Sequence, residues 1–113
     1  MLDLLFVATY RDDQAFGALG DRTRRAIVLA LAQEPQAVGE LTAHLPVSRP
    51  AVSQHLKVLK AAGLVAEKAI GTRRIYRLNE AGVLALRDQL DRFWDRALSG
   101  YHDVAEQPPE EIP

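Results

Sequence analysis

Residues 48–63 read S-R-P-A-V-S-Q-H-L-K-V-L-K-A-A-G, and their pattern is that of a helix with an apolar inner face and a polar outer one. Ser48 is a good N-cap, Pro50 falls in the first turn where a missing backbone N–H costs little, and Gly63 suits the left-handed position that ends a helix. Val52, Leu56 and Leu59 recur at i, i+4 and i+7 and share one buried stripe, which leaves Arg49, Ser53, Gln54 and Lys57 on the other side. Those four are short or forked hydrogen-bonding side chains, the types that reach base edges and phosphates. No carboxylate occurs between Ser48 and Gly63, whereas a face kept only for solubility usually carries Glu/Lys pairs. His55 lies at the edge of the apolar stripe, which points to packing or a phosphate contact rather than base reading.

The neighbours of this helix define the fold. Upstream, Val38 to Leu45 gives a short helix with Val38, Leu41 and Leu45 inward, and Pro46 and Val47 form a tight joint to Ser48, so the pair reads as a helix-turn-helix. Downstream, Leu64 to Ile70 and Arg73 to Leu78 are strand-like runs about a Gly71-Thr72 turn, with Val65, Ile70, Ile75 and Tyr76 as β-prone residues. A helix-turn-helix followed by a β-hairpin is a winged helix. The fold class is therefore mainly α with a β-hairpin wing, with about five helices in all. The wing tip carries Arg73 and Arg74 beside Gly71, where guanidinium groups can approach a phosphate or a minor groove.

Asp12 to Leu19 reads as a helix broken at Gly20, and Asp21 caps the next one, which runs to about Gln33 with Ile27, Ala30 and Leu31 inward before Glu34-Pro35 ends it. Asn79 is the expected cap of a final helix from Glu80 to about Ala105. In that helix Val83, Leu86, Leu90, Phe93, Ala97 and Val104 follow three-and-four spacing, while Leu84, Trp94, Leu98 and Tyr101 make a second apolar stripe. One stripe serves the core. The other packs around the N-terminal helix or, as an exposed apolar face more often does, against a second copy of the chain.

With 113 residues the chain fits one small domain, divided here into an apolar extension at residues 1–11, a DNA-binding and dimerisation unit at 12–106, and a disordered acidic tail at 107–113. No apolar run is long enough to span a membrane, and Met1 to Tyr10 contains Asp3 and lacks a basic start, so neither membrane insertion nor secretion is expected. Absence of cysteine removes disulfides and thiolate ligands, and a bacterial cytoplasm is the expected location. A net charge of −1 hides a segregation. Residues 48–77 hold seven Lys/Arg against Glu67 alone, whereas residues 79–113 hold three against eight acids. Phosphate attraction is local on the scale of the Debye length, roughly 8 Å at physiological salt, so the local excess matters more than the sum.

L-G-D-R-T-R-R-A-I-V-L-A-L at Leu19 to Leu31, V-G-E-L at Val38 to Leu41, the stretch from Ser48 to Val65, and G-T-R-R-I-Y-R-L at Gly71 to Leu78 together resemble the ArsR family of bacterial winged-helix repressors. The resemblance covers about residues 12–105 in order, and the D-R-F-W segment at Asp91 to Trp94 is similar to a cysteine-poor branch of the family. It implies a homodimer that binds an operator in double-stranded DNA and responds to some signal, pairing through the first and last helices. Phe16, Leu19, Leu90, Phe93, Trp94, Ala97, Leu98 and Tyr101 are then the dimer seam. The candidate DNA-binding residues are Ser48, Arg49, Pro50, Ser53, Gln54, His55 and Lys57 on the helix, and Arg73, Arg74 and Tyr76 on the wing. The resemblance alone adds Thr23 and Arg24, which otherwise read as the start of a helix with its basic residues in water.

Metal sensing, known in that family, does not fit these residues. The segment matching the family's cysteine site is Leu41-Thr42-Ala43-His44, and registering the last-helix pattern on His102 places Gln89, Asp91, His102 and Ala105 at its four positions. Two donors out of four do not make a zinc site. Scattered histidines and serines give no catalytic constellation and no glycine-rich phosphate loop occurs, so no enzyme activity, metal or cofactor is expected. Two other classes remain open: a winged helix used for protein contact, and a regulator in which an unidentified small-molecule effector occupies a pocket at the last helices.

Overall fold

A helix that carries its own start and stop signals organises the rest of the computed structural model, which describes residues 13–106. The proposed extension at residues 1–11, Asp12 and the tail at 107–113 lie outside the described residues. Among those described, five helices and three strands follow in the order α1 (Gln14–Ala18), α2 (Arg22–Gln33), β1 (Gln36–Ala37), α3 (Val38–His44), α4 (Arg49–Ala61), β2 (Val65–Ile70), β3 (Arg73–Leu78) and α5 (Glu80–Glu106). This is the expected winged helix-turn-helix, and α4 is the second helix of the pair. The Ser48 hydroxyl accepts from the Ala51 N–H at 3.3 Å. At the other end Gly63, with φ of 78°, donates to the Lys60 carbonyl while the Leu64 N–H returns to Leu59, both at 3.0 Å. That is the two-bond stop that needs a left-handed residue, and glycine enters it without a Cβ penalty. Asp21 caps α2 as expected, accepting from the Arg24 N–H at 3.0 Å.

Val52, Leu56 and Leu59 are fully buried, and with Ala18, Ile27, Leu31, Leu41, Leu64, Val65 and Leu86 they form the core. The helical stripe read from the sequence is thus the surface on which α2, α3 and the base of the wing pack. The expected wing hairpin forms, and a third strand that the sequence did not announce joins it. The result is a three-stranded sheet of order β1-β3-β2, in which Gln36 lies opposite Tyr76 and Ala37 opposite Ile75, while β2 and β3 pair from Val65↔Leu78 to Ile70↔Arg73. A strand of two residues has no periodicity to detect. It is held from outside its own sequence, with the buried Gln36 side chain donating to the Ala30 carbonyl at 3.0 Å.

Asn79 precedes α5 as expected, and its carbonyl accepts the Val83 N–H at 3.0 Å. Its side-chain amide, however, donates to the Gly63 carbonyl at 2.9 Å, tying the start of α5 to the end of α4. The expected division of α5 into a core stripe and a second stripe holds only as far as Leu90. Leu86 is buried and Val83 and Leu90 are partly so, but every residue from Asp91 to Glu106 is exposed. Phe93 at 53% is as open as Trp94 at 56%, because the domain body ends before the helix does.

Gly82 lies where α5 crosses the end of α4, and a Cβ there would sit 1.8 Å from the Gly63 carbonyl oxygen. Alanine is favoured over glycine within a helix by about 1 kcal/mol, but the backbone atom in its way cannot rotate aside. Gly82→Ala is therefore expected to lower the melting temperature in spite of its helix propensity. A thermal melt equal to or above that of the wild type would show that the junction yields.

Candidate nucleic-acid interface

The outer face of α4 carries a row of exposed polar side chains. Among the described residues, the side chains of Arg49, Ser53, Gln54 and Lys57 make no hydrogen bond or ion pair. Burial of the opposite stripe aims them outward, and the absence of partners leaves their donors and acceptors for a ligand. Arg49 and Ser53, one turn apart, line an open groove of about 610 Å³ whose other wall is the wing, with Arg73, Arg74 and Tyr76, and whose floor includes Glu40 of α3. Gln54 and Lys57 lie on the same helix beyond this groove's lining. Ser48 and Pro50 are exposed at the helix start, with the Ser48 hydroxyl already engaged as the cap.

Two carboxylates organise the wing. Glu40 pairs with Arg73 and also receives the Ala37 N–H at 3.4 Å, so it joins α3 to the wing tip. Glu67 on β2 accepts from Lys60 of α4 at 2.5 Å and from Arg74 at 3.3 Å. The Lys60 ammonium, followed by the Tyr76 hydroxyl, holds the Glu67 carboxyl below its ordinary 4.5. Tyr76 is partly buried, and burial first and the neighbouring Glu67 second push its phenol above 10.0. Sequence reasoning had no means of finding Glu40. Its position three residues after a helix start marks an ordinary capping residue, and its partner Arg73 is 33 positions away.

Thr23, Arg24 and His55 stand differently from the rest of the candidate set. Thr23 and Arg24 are partly buried in the first turn of α2. The Arg24 Nε donates to the Ala18 carbonyl at 2.6 Å, and its NH1 lies 3.3 Å from Nδ1 of His55. The same ring nitrogen is 3.9 Å from the Asp21 carboxylate, which the Arg24 backbone N–H holds below its ordinary 3.8. Arg24 thus reaches inward to two other helices. Neighbouring Arg25 donates to the Leu19 carbonyl at 2.8 Å, and Arg22 is exposed.

The residues read as a dimer seam fall on one continuous strip. Phe16 of α1 meets Phe93 of α5 edge-on at 6.1 Å, and Phe93 meets Trp94 at 5.1 Å. Phe16, Leu19 and Leu90 are partly buried, whereas Phe93, Trp94, Ala97, Leu98 and Tyr101 are exposed. Gln89 reaches Asp13 at 3.4 Å, and the His102 ring is tilted against Tyr101. Among the described residues no three His, Asp or Glu side chains gather as a metal would require, and no helix is long and apolar enough to cross a membrane.

Comparison with known proteins places this geometry. The sequence pattern described as "Bacterial regulatory protein, arsR family" matches residues 21–67, which span α2 through the start of β2. The chain is 64% identical over 96 residues to the HTH-type transcriptional regulator Rv2034 of Mycobacterium tuberculosis, an alignment covering 84% of this chain and 90% of that one. A solved ArsR-like transcriptional regulator from Rhodococcus sp. RHA1 superposes with a TM-score of 0.74 at 36% identity, over 91% of this chain and 98% of that one. A homodimeric winged helix-turn-helix DNA-binding domain from Mycobacterium bovis superposes with a TM-score of 0.67 at 26% identity, over 84% of this chain and 88% of that one.

The contacts of Glu67 lead to an expected acid sensitivity of the fold. A carboxyl held below its ordinary 4.5 in the folded state binds fewer protons there than in the unfolded chain, so it stabilises the fold above that value. The stabilisation is lost as pH falls through the lower, folded value. Melting temperatures of the wild type are expected to fall along that limb, whereas Glu67→Gln should start lower near neutrality and show a shallower acid limb. Parallel acid limbs would remove Glu67 from the linkage.

Proposed function

Because the chain belongs to the arsR family of bacterial regulatory proteins, which are DNA-binding transcriptional regulators, we propose that it works as a homodimeric repressor. It would bind an inverted-repeat operator in double-stranded DNA within the bacterial cytoplasm. The observation that carries the reading is the row Arg49, Ser53, Gln54 and Lys57 on α4, without partners among the described residues, of which Arg49 and Ser53 line a groove whose far wall is the arginine-bearing wing. In this reading α4 enters the major groove. Ser53 and Gln54 meet base edges, Arg49 reads a guanine or grips a phosphate, and Lys57 grips a phosphate. Arg73 and Arg74 exchange their carboxylate partners for flanking phosphates, an exchange favoured by the weakness of exposed ion pairs.

Pairing of two copies is supported by the exposed strip on α1 and α5. Phe93, Trp94, Leu98, Tyr101 and Val104 are each at least half open to water, and a contiguous apolar face of this kind is normally covered by a partner. The similar Mycobacterium bovis domain is itself homodimeric. Two-fold symmetry then sets half-sites about 10 bp apart, or a multiple of that. Occupying the operator excludes transcription from it.

Base contacts specify and phosphate contacts position, a good bidentate base contact being worth roughly 1 to 3 kcal/mol of discrimination. Ser53→Ala and Gln54→Ala are therefore expected to relax sequence preference, while Arg73→Ala combined with Arg74→Ala weakens operator and scrambled duplex alike. Affinities measured on both duplexes at one salt concentration check this. Equal losses on the two duplexes for the Gln54 variant would remove it from the base readers.

The seam has its own test. Trp94→Glu or Leu98→Glu puts a charge against the partner chain, and losing the second reading helix should drop operator affinity towards the non-specific level, roughly 10⁻⁴ to 10⁻⁶ M. Sedimentation should show a wild-type dimer and a variant monomer. A monomeric wild type that still binds its operator tightly would refute the pairing.

A further inference from the structure

Arg24 and His55 form a polar bridge across three helices, and nothing in the reading head or the seam accounts for it. Arg24 is the only one of the three arginines at the start of α2 whose side chain reaches α4. Its Nε takes the Ala18 carbonyl at 2.6 Å, one of the acceptors left over at the end of α1, and its NH1 faces His55 Nδ1 at 3.3 Å. A guanidinium only donates, so a hydrogen bond between the two uses Nδ1 of His55 as its acceptor. Asp21 flanks the same imidazole at 3.9 Å and is itself held by the Arg24 backbone N–H. The bridge runs from α1, whose Phe16 packs on Phe93 of α5, to the residue next to Gln54.

We propose that Arg24 and His55 are positioning residues for operator reading: the Arg24–His55 bridge fixes the rotation of α4 relative to α1 and thereby the spacing of the two half-sites that the dimer accepts. This rests on the dimeric operator-binding reading above. Val52, Leu56 and Leu59 bury α4 fully, but apolar contact is non-directional and tolerates a helix rolling on its stripe. The guanidinium is planar and its donors are fixed in a fork, so holding Ala18 and His55 at once admits one orientation. A helix with its side chains is about 10–12 Å across, so a roll of some ten degrees displaces Ser53 and Gln54 by about 1 Å. Base-edge hydrogen bonds span only about 2.7 to 3.2 Å, so that displacement decides whether they form.

The test measures the affinity of Arg24→Ala, His55→Ala and His55→Gln for operators at the preferred half-site spacing and with one base pair added or removed. The wild type should discriminate sharply among the three spacings. Arg24→Ala and His55→Ala should lose much of that discrimination, several-fold at the least, and bind the preferred operator less tightly. His55→Gln, which keeps an acceptor for Arg24, should retain it. If Arg24→Ala does not fold, the two His55 variants carry the test. Unchanged spacing discrimination in His55→Ala, even with a lower melting temperature, would make the bridge merely structural and overturn the proposal. A uniform loss on all duplexes in Arg24→Ala, with a salt slope reduced by about one and no effect of His55→Ala, would make Arg24 a phosphate contact and overturn it as well. A wild type that binds no operator would instead defeat the functional reading on which the proposal rests.

Discussion

The Gly63 carbonyl is the point on which the rest of the structure depends. The residue ends α4 in the left-handed conformation, its carbonyl receives the Asn79 amide, and the same oxygen occupies the space that a side chain at Gly82 would need. Three constraints thus meet at one peptide: α4 must stop, the residue that follows the wing must be tied back to it, and the long helix must cross at close range. The first is chemistry local to the helix terminus. The other two involve residues 16 and 19 positions away, so the junction between α4 and the long helix is held by one side-chain hydrogen bond and one close backbone approach, neither of which another side chain readily replaces.

Charge in this chain works by subtraction. The basic excess of residues 48–77 is not all left unpaired, because Glu67 engages Lys60 and Arg74 and Glu40 engages Arg73. What remains on α4 without a partner among the described residues is Arg49 and Lys57, with Ser53 and Gln54 between them. The carboxylates hold the wing in a defined position against α3 and α4, while the unpartnered side chains keep their full hydrogen-bonding capacity. Exposed ion pairs are weak, so the wing pairs are restraints that a phosphate can displace.

The long helix divides at Leu90. Before it, Val83 and Leu86 pack on the domain; after it, apolar and charged side chains alike face water. Phe16 bridges the two regimes by covering part of Phe93. The strip left open on α1 and α5 lies at the opposite end of the Arg24–His55 bridge from the reading face, so the same short helix borders the candidate seam and, through Ala18, contacts the network that reaches α4.

Residues 48–63 by themselves determined the reading helix, because capping chemistry, the apolar stripe and the glycine stop are local signals separated by less than one helix length. The same holds for the Asp21 cap, the Gly71 turn and the winged helix-turn-helix order as a whole, which rests on patterns of a few residues each. What only the tertiary structure decided were the partners that are distant in sequence. β1 exists because β3 supplies its pairing; Arg24 reaches inward because Ala18 and His55 converge on it; Arg73 finds Glu40 across 33 positions; and Gly82 is required because Gly63 abuts it. Periodicity reports which face of a helix is buried. It carries no information about where that helix leaves the body it packs on, which is why both apolar stripes of α5 were legible, the second as a face needing a cover, while the end of the core stripe at Leu90 was not.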